Sequence, residues 1–391
     1  MSRHGDRAAT KRPLPPGFFT IWTTVALDLV GFGIVAPLQG LYVERLGASP
    51  TTVGFLFASF SLAQFVFAPV WGRISDRIGR KPVIIVSLFG TAIGSFLTGA
   101  SNVLWLVFLG RIIDGASGGS VSVAQAAVTD VASDEDRPHL LGLLSAAFGV
   151  GFVLGPAIGG LAALGGPRVP FFVAGSIALV NAVAAIKRLP ETSTAAQRAA
   201  DARAPRVREG RRRQLLQLAA IGFIATSAFS IFEATFALFA EHRFSLGSAG
   251  VAAVFVGIGL GLVAVQGGAI RPVTNAIGAV GALRAGLIVN VAGLLMLAAS
   301  KQWAVLVPAL FLLVAGQGLA APSLTATVAR VSDPARRGEA LGFQQGVSAV
   351  ARVVGPAMGG ALFQHAGVPV PYVVGAGMVF AAAALAFTFV G

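Results

Sequence analysis

Ten residues, Gly72 to Lys81 (GRISDRIGRK), decide what this chain can become. They are charged and glycine-punctuated. Before them, the 27 residues from Leu46 to Gly72 carry no charge, and after them the 29 residues from Pro82 to Gly110 carry none. An apolar run of about 18 residues is long enough to cross a bilayer. The stretch therefore reads as a tight loop joining two membrane spans. Four of its residues are basic (Arg73, Arg77, Arg80, Lys81), and short basic loops stay on the cytoplasmic side.

The rest of the chain agrees with a membrane protein. It has 391 residues, 55% hydrophobic and 12% charged, where soluble domains carry about 25% charged residues. There are no cysteines, which excludes disulfides and thiolate chemistry. The four histidines (His4, His139, His242, His365) form no ligand pair, so no metal site is expected. The net charge of +13 lies between spans, which argues against nucleic acid as partner. No nucleophile with a base and no phosphate-binding loop is present. An enzyme is not expected, no cofactor is expected, and any driving energy has to come from an ion gradient or the substrate's own.

Apolar runs and their breakers predict an all-α protein of twelve spans: 18–42, 51–71, 83–101, 104–129, 139–164, 170–189, 215–240, 247–270, 278–300, 303–328, 339–364 and 370–390. An even number puts both termini on one side. Of 29 Lys and Arg residues, 23 then fall on that side, four on the other (Arg45, Arg168, Arg243, Lys301), and Arg111 and Arg352 within spans. The imbalance predicts cytoplasmic termini in a cell (inner) membrane. A polar, Arg-rich stretch, 190–214, divides the chain into two six-helix bundles, 1–189 and 215–391. It reads as a solvated linker beside anionic lipid.

The halves repeat. Residues 137–160 and 337–360 align without a gap at an offset of 200, and ten of 24 positions are identical, Gly155-Pro156 and Gly355-Pro356 among them. With six spans per half the repeats run parallel. Transporters built that way hold substrate between the halves near the midplane.

Four motifs carry a resemblance to the major facilitator superfamily. GRISDRIGRK is similar to its loop motif between spans two and three. Gly149 to Gly160 (GVGFVLGPAIGG) is similar to the motif of its proton-coupled antiporters. Arg111, Asp114 and Gly115 resemble the fourth-span motif, and Asp28 to Pro37 (DLVGFGIVAP) the first-span motif of twelve-span drug–proton antiporters such as tetracycline pumps. Departures are also present. The third span has no acid near Gly94, the eighth has no histidine, Gly40 stands where a second proline is common, and the loop near Gly268 to Gly278 has no Asp-Arg pair. The resemblance implies a monomeric proton-coupled exporter of small, largely hydrophobic compounds. A carrier of a small metabolite is the alternative.

The charged residues inside the spans suggest where the chemistry lies. Asp28 is ~15 Å deep, at 1.5 Å per residue, where keeping a carboxylate charged is costly, so it suits a proton carrier or a paired structural acid. Arg111 is ~11 Å deep and shares a helix face with Asp114. The two either neutralise each other or relay protons. Glu233 is the acid of the seventh span, either a second proton or cation site or a gate residue. Arg352, ~20 Å deep, reads as a partner for an acid or carbonyl or as a residue of the substrate cavity, and Asn290, Gln317 and Gln344 as hydrogen-bonders for substrate there. Gly151, Gly155 and Gly159 repeat on one face beside Pro156 and Gly160, which suits close helix packing. The resemblance further implies a latch on the cytoplasmic side. Asp76 would dock at the eleventh-span N-terminus near Glu339, Asp130 would pair with Arg77 or Arg80, and Gly72 and Gly79 would permit the turn.

Overall fold

The computed structural model describes residues 14–132, 137–192, 212–332 and 337–388. The basic N-terminal residues and most of the linker (193–211) lie outside the described residues. The first half holds α1 (Phe18–Val35), α2 (Gln39–Glu44), α3 (Pro50–Ile78), α4 (Arg80–Ala100), α5 (Leu104–Ser117), α6 (Ser120–Val131), α7 (Arg137–Ala163) and α8 (Val169–Arg188). The second holds α9 (Arg212–Phe244), α10 (Ser248–Ala264), a π-helical turn (Val265–Ala269), α11 (Ile270–Ala299), α12 (Trp303–Val331), α13 (Arg337–Ala366) and α14 (Val370–Thr388). No strand occurs among the described residues.

Eleven segments are long and apolar enough to cross a membrane. One of them, Ser248–Ala299, runs for 52 residues, or about 78 Å of helix against about 30 Å of hydrocarbon. It is two spans. At Gly278 the backbone leaves the helical region (φ 73°, ψ 168°), and dividing it there makes twelve.

Several sequence expectations need correction. The 72–81 stretch is not a loop: α3 continues through Ile78 and α4 begins at Arg80, so the reversal falls on Gly79 alone (φ 107°, ψ 163°). Such a positive φ favours glycine. Gly72 lies inside α3 and takes no part in the turn. The first span ends at Val35 rather than at 42, because Pro37 has no N–H for the carbonyl of Gly33. A separate short helix, α2, follows. The fourth span is interrupted at Gly118 and Gly119, which fit tightly against Gln64 and the Trp71 ring.

The packing follows the repeat. Glycines of α7 let α1 approach to backbone contact: a Cβ on Gly155 would be 2.5 Å from the Gly33 Cα, and one on Gly151 2.7 Å from the Leu29 carbonyl oxygen. In the second half Gly355 and Gly359 meet α9 at Ser227 and Ile231. The halves touch along two related seams. In one, Gly54 of α3 lies on the Pro356 carbonyl and Gly360 of α13 on that of Pro50. In the other, Gly259 of α10 lies on the Phe152 carbonyl and Gly160 of α7 on Ala252.

At the end away from Gly79 one apolar core runs through both halves, joining Leu41, Tyr42, Leu56 and Phe57 to Phe232, Phe236, Leu238 and Phe239. Glu44 of α2 and Glu241 of α9 bring their carboxyl groups close together across this closure, with His242 nearby. At the Gly79 end the first half has a core of its own, including Phe18, Val83, Leu88, Val128 and Leu140. There the seams part. Around Gly72 (α3), Gly267 and Gly268, and Gly342 and Gly346 (α13), a Cβ would meet nothing within 4 Å. The molecule is closed at the far end and open at the Gly79 end.

Candidate functional site

Charged groups inside the spans fall into two clusters, one in each half. In the first, α5 places Arg111 and Asp114 three residues apart, so both point the same way. Arg111 Nη1 donates to Asp114 Oδ2 at 2.6 Å, and its guanidinium lies 4.2 Å from the Phe60 ring centre on α3. Only its Nε is left buried without a partner. Thr91 of α4 also hydrogen-bonds Asp114. Glycine makes room for this arrangement. A Cβ on Gly94 would be 2.9 Å from the Asp114 Cβ, and one on Gly115 would run into the Phe60 carbonyl oxygen.

Asp28 of α1 belongs to the same cluster, near enough to Asp114 for their charges to interact. It does not touch Arg111. Ser120, the first residue of α6, donates its hydroxyl to Asp28 Oδ2 at 2.5 Å. The structure thus joins Asp28, Arg111 and Asp114, and adds Ser120, Thr91 and Phe60, which the sequence reading did not single out. Two acids share one arginine, and that arginine is committed to Asp114.

In the second half Glu233 (α9) and Arg352 (α13) are the coupled charges. They make no direct ion pair among the described residues. The expectation that Arg352 accompanies an acid thus takes a looser form, and Glu233 turns to Arg352 rather than to Glu241. Asn290 Nδ2 donates to Gln317 Oε1 at 3.3 Å, linking α11 to α12. Gln344 is buried against Gly222 of α9.

At the Gly79 turn Arg80 is the centre. Its Nε donates to Asp130 Oδ2 at 3.0 Å, and its Nη1 to Asp76 Oδ1 at 2.5 Å and Ser75 Oγ at 2.8 Å. Arg80, not Arg77, is the partner of Asp130. The carboxylate of Glu191, just after α8, caps α4 by accepting from the backbone N–H of Arg80 (2.9 Å) and Lys81 (3.2 Å). Nothing local in the sequence pointed to Glu191, 111 residues from Arg80. The expected dock of Asp76 on the eleventh span is not made in this open state. Asp76 bonds Arg80 within its own half, with 63% of its side chain exposed. The Glu339 side chain lies outside the described residues.

The comparisons with known proteins agree with this architecture. The family model described as Major Facilitator Superfamily matches residues 21–278 and 270–391. The chain is 31% identical to the class C tetracycline resistance protein of Escherichia coli over 341 residues, 85% of this chain and 86% of that protein. It is 28% identical to multidrug resistance protein 1 of Bacillus subtilis (strain 168), over 87% of this chain and 88% of that one. Among solved structures, the human organic anion transporter MFSD10 (TETRAN) superposes with a TM-score of 0.75 at 25% identity, covering 95% of this chain and all of that one. The nucleoside transporter NupG also gives 0.75, at 13% identity over 96% of this chain and 100% of that one, a likeness of fold alone. Twelve spans in two repeated bundles, the matching family model and these relatives lead to one conclusion: the chain is a multi-pass membrane transporter, not an enzyme, and it belongs to the major facilitator superfamily.

Proposed function

We propose that the chain exports small, largely apolar compounds in exchange for protons, by alternating access between the two halves. The observation that carries this is Asp28. It is an acid within a span, held by a single hydroxyl, beside an Arg111–Asp114 pair that already balances itself. A carboxyl in that setting can exist with or without a proton at little structural cost, since Ser120 can donate to the carboxylate or turn to accept from the acid. Arg111, tied to Asp114 and stacked on Phe60, is not available to hold Asp28 permanently charged. The tetracycline and multidrug resistance proteins among the relatives support export of drug-like compounds.

The distribution of basic residues supports cytoplasmic termini in a cell inner membrane. With that orientation the open Gly79 end faces the cytoplasm and the Glu44–Glu241 closure faces outward, which is the state that loads substrate from inside. Energy would come from the proton gradient, with no cofactor, and one chain contains both halves needed for transport. A small-metabolite carrier with the same proton site is the second reading, favoured by the polar Asn290, Gln317 and Gln344 of the second half.

The test uses everted vesicles, acid inside, with a panel of lipophilic drugs including tetracycline and a read-out of ΔpH. Drug-dependent proton release by the wild type and none by Asp28→Asn is the expected result. Proton release that survives in Asp28→Asn would remove Asp28 from the proton path. No release with any drug, but release with metabolites, would favour the second reading.

A further inference from the structure

Arg111 and Arg352 lie deep in spans, one in each half, and the two stand in opposite circumstances. Arg111 is 3% exposed and held by Asp114 and Phe60. Arg352 is exposed, and among the described residues it makes neither hydrogen bond nor ion pair; Glu233 acts on it only through space. A charge at mid-span costs about 2.5–3.5 kcal/mol even by insertion scales. An open one within the protein therefore calls for a use.

Arg352 does not face lipid. It shares a face of α13 with Ser348, Gly355 and Gly359. Ser348 is buried, and the two glycines rest on Ser227 and Ile231 of α9. Pro356, one turn further on, rests on Gly54 of α3. Arg352 is one turn toward the Gly79 end, where α3 and α13 separate. Its guanidinium thus looks into the space between the halves, at the top of the open side. Close by in sequence, Phe229 and Phe232 precede Glu233 on α9. They line a narrow apolar cleft with Ile258, Leu262 and Leu310, and Gln317 provides its polar edge.

We propose that Arg352 receives an anionic group of the transported compound, such as a carboxylate, sulfonate or enolate, while the apolar body lies toward Phe229 and the mouth of that cleft. A guanidinium offers two parallel donors to such a group. Glu233 balances Arg352 when the site is empty and repels a second negative charge, so the site selects monoanions and zwitterions over dianions. This inference rests on the transporter reading and gives it a substrate class.

The experiment uses the full chain in nanodiscs and three matched probes: 2-naphthoate, neutral 2-naphthamide and cationic 2-naphthylmethylammonium. Equilibrium binding should favour the naphthoate over the amide by about tenfold or more, as a charge-assisted hydrogen bond allows. Arg352→Gln should bring the two to near-equal affinity, with an unchanged Tm showing that the variant is folded. Arg352→Lys, a point charge without the fork, should keep part of the preference, and Glu233→Gln should increase it. Equal binding of naphthoate and amide by the wild type, or an unchanged preference in Arg352→Gln, would overturn the anion site. Neither result touches the exporter reading, which fails separately if wild-type vesicles show no drug-dependent proton release.

Discussion

Replacing Gly155 by alanine puts the backbone contact between α1 and α7 to a quantitative test. The added Cβ would be 2.5 Å from the Gly33 Cα and 2.6 Å from its carbonyl carbon, 0.9 Å or nearly so short of ordinary contact at 3.4 Å. The obstacle is backbone, which cannot rotate aside, so α1 has to retreat or α7 has to bend. Overpacking of that kind costs about 1–3 kcal/mol, against about 0.5–1 kcal/mol recovered by removing a glycine from a helix. A net loss of up to about 2.5 kcal/mol follows. Gly257→Ala is the control, because a Cβ there meets nothing within 4 Å, so only the helix gain applies. Thermal unfolding of the purified protein should show a lower Tm for Gly155→Ala and an equal or higher one for Gly257→Ala. Transport should fall in the first variant alone, since α1 also carries Asp28 to Ser120. A Gly155→Ala protein as stable and active as Gly257→Ala would refute the close approach and the role assigned to the glycine repeat.

Further outcomes can be checked in the same preparations. Ser120→Ala should reduce drug-dependent proton release about tenfold, as loss of a charge-assisted hydrogen bond would. Ser122→Ala should leave it unchanged, because that hydroxyl bonds only the Gly119 carbonyl of its own turn. Glu191→Ala strips the acceptor from two N–H groups at the start of α4 and should lower stability by about 0.5–2 kcal/mol, as loss of a helix cap does, seen as a lower Tm. Asp76→Asn should lower stability by about 1 kcal/mol or less, as loss of an exposed ion pair does, yet abolish transport if Asp76 docks on α13 once the Gly79 end closes. Normal transport by that variant would remove the latch. At the far end, burial and then the adjoining Glu241 carboxyl raise the Glu44 carboxyl above its ordinary 4.5, with His242 opposing. The closed arrangement therefore holds a proton more tightly than a solvated Glu44 does. Closure should be favoured as pH falls through the raised value toward 4.5 and disfavoured above it. Spin labels on cysteines at Gly47 and Lys301, in a chain with no cysteine of its own, should report a longer distance at higher pH, and Glu44→Gln should flatten the response.

The features that could be read from sequence were those whose cause is local or repeated. Arg111 and Asp114 are three residues apart, and helix geometry alone brings them together. The glycine–proline repeat at an offset of 200 foretold contacts that α7 and α13 make in parallel. Charge marked the boundary at 72–81 but misled about its form. Arg, Lys, Ile and Asp extend a helix readily when one glycine can carry the reversal, so a polar stretch need not be a loop. Ser120 escaped notice because its position depends on the break at Gly118 and Gly119, and that break depends on the Trp71 ring pressing from another helix. Glu191 escaped notice because its partners are backbone N–H groups, which have no signature in sequence.

The two seams between the halves are made where backbone meets backbone, Gly54 on Pro356 and Gly259 on Phe152. A joint of this kind has few rotamers to rearrange as its parts turn, and little that can interlock. Under the alternating access proposed above it would act as a plain bearing, smooth across a range of angles, on which one half can swing. Such a bearing also frees the lining of the cavity from mechanical duty. If Gln317, Asn290 and Arg352 meet the cargo, as proposed above, they can change with it while the axle keeps its shape.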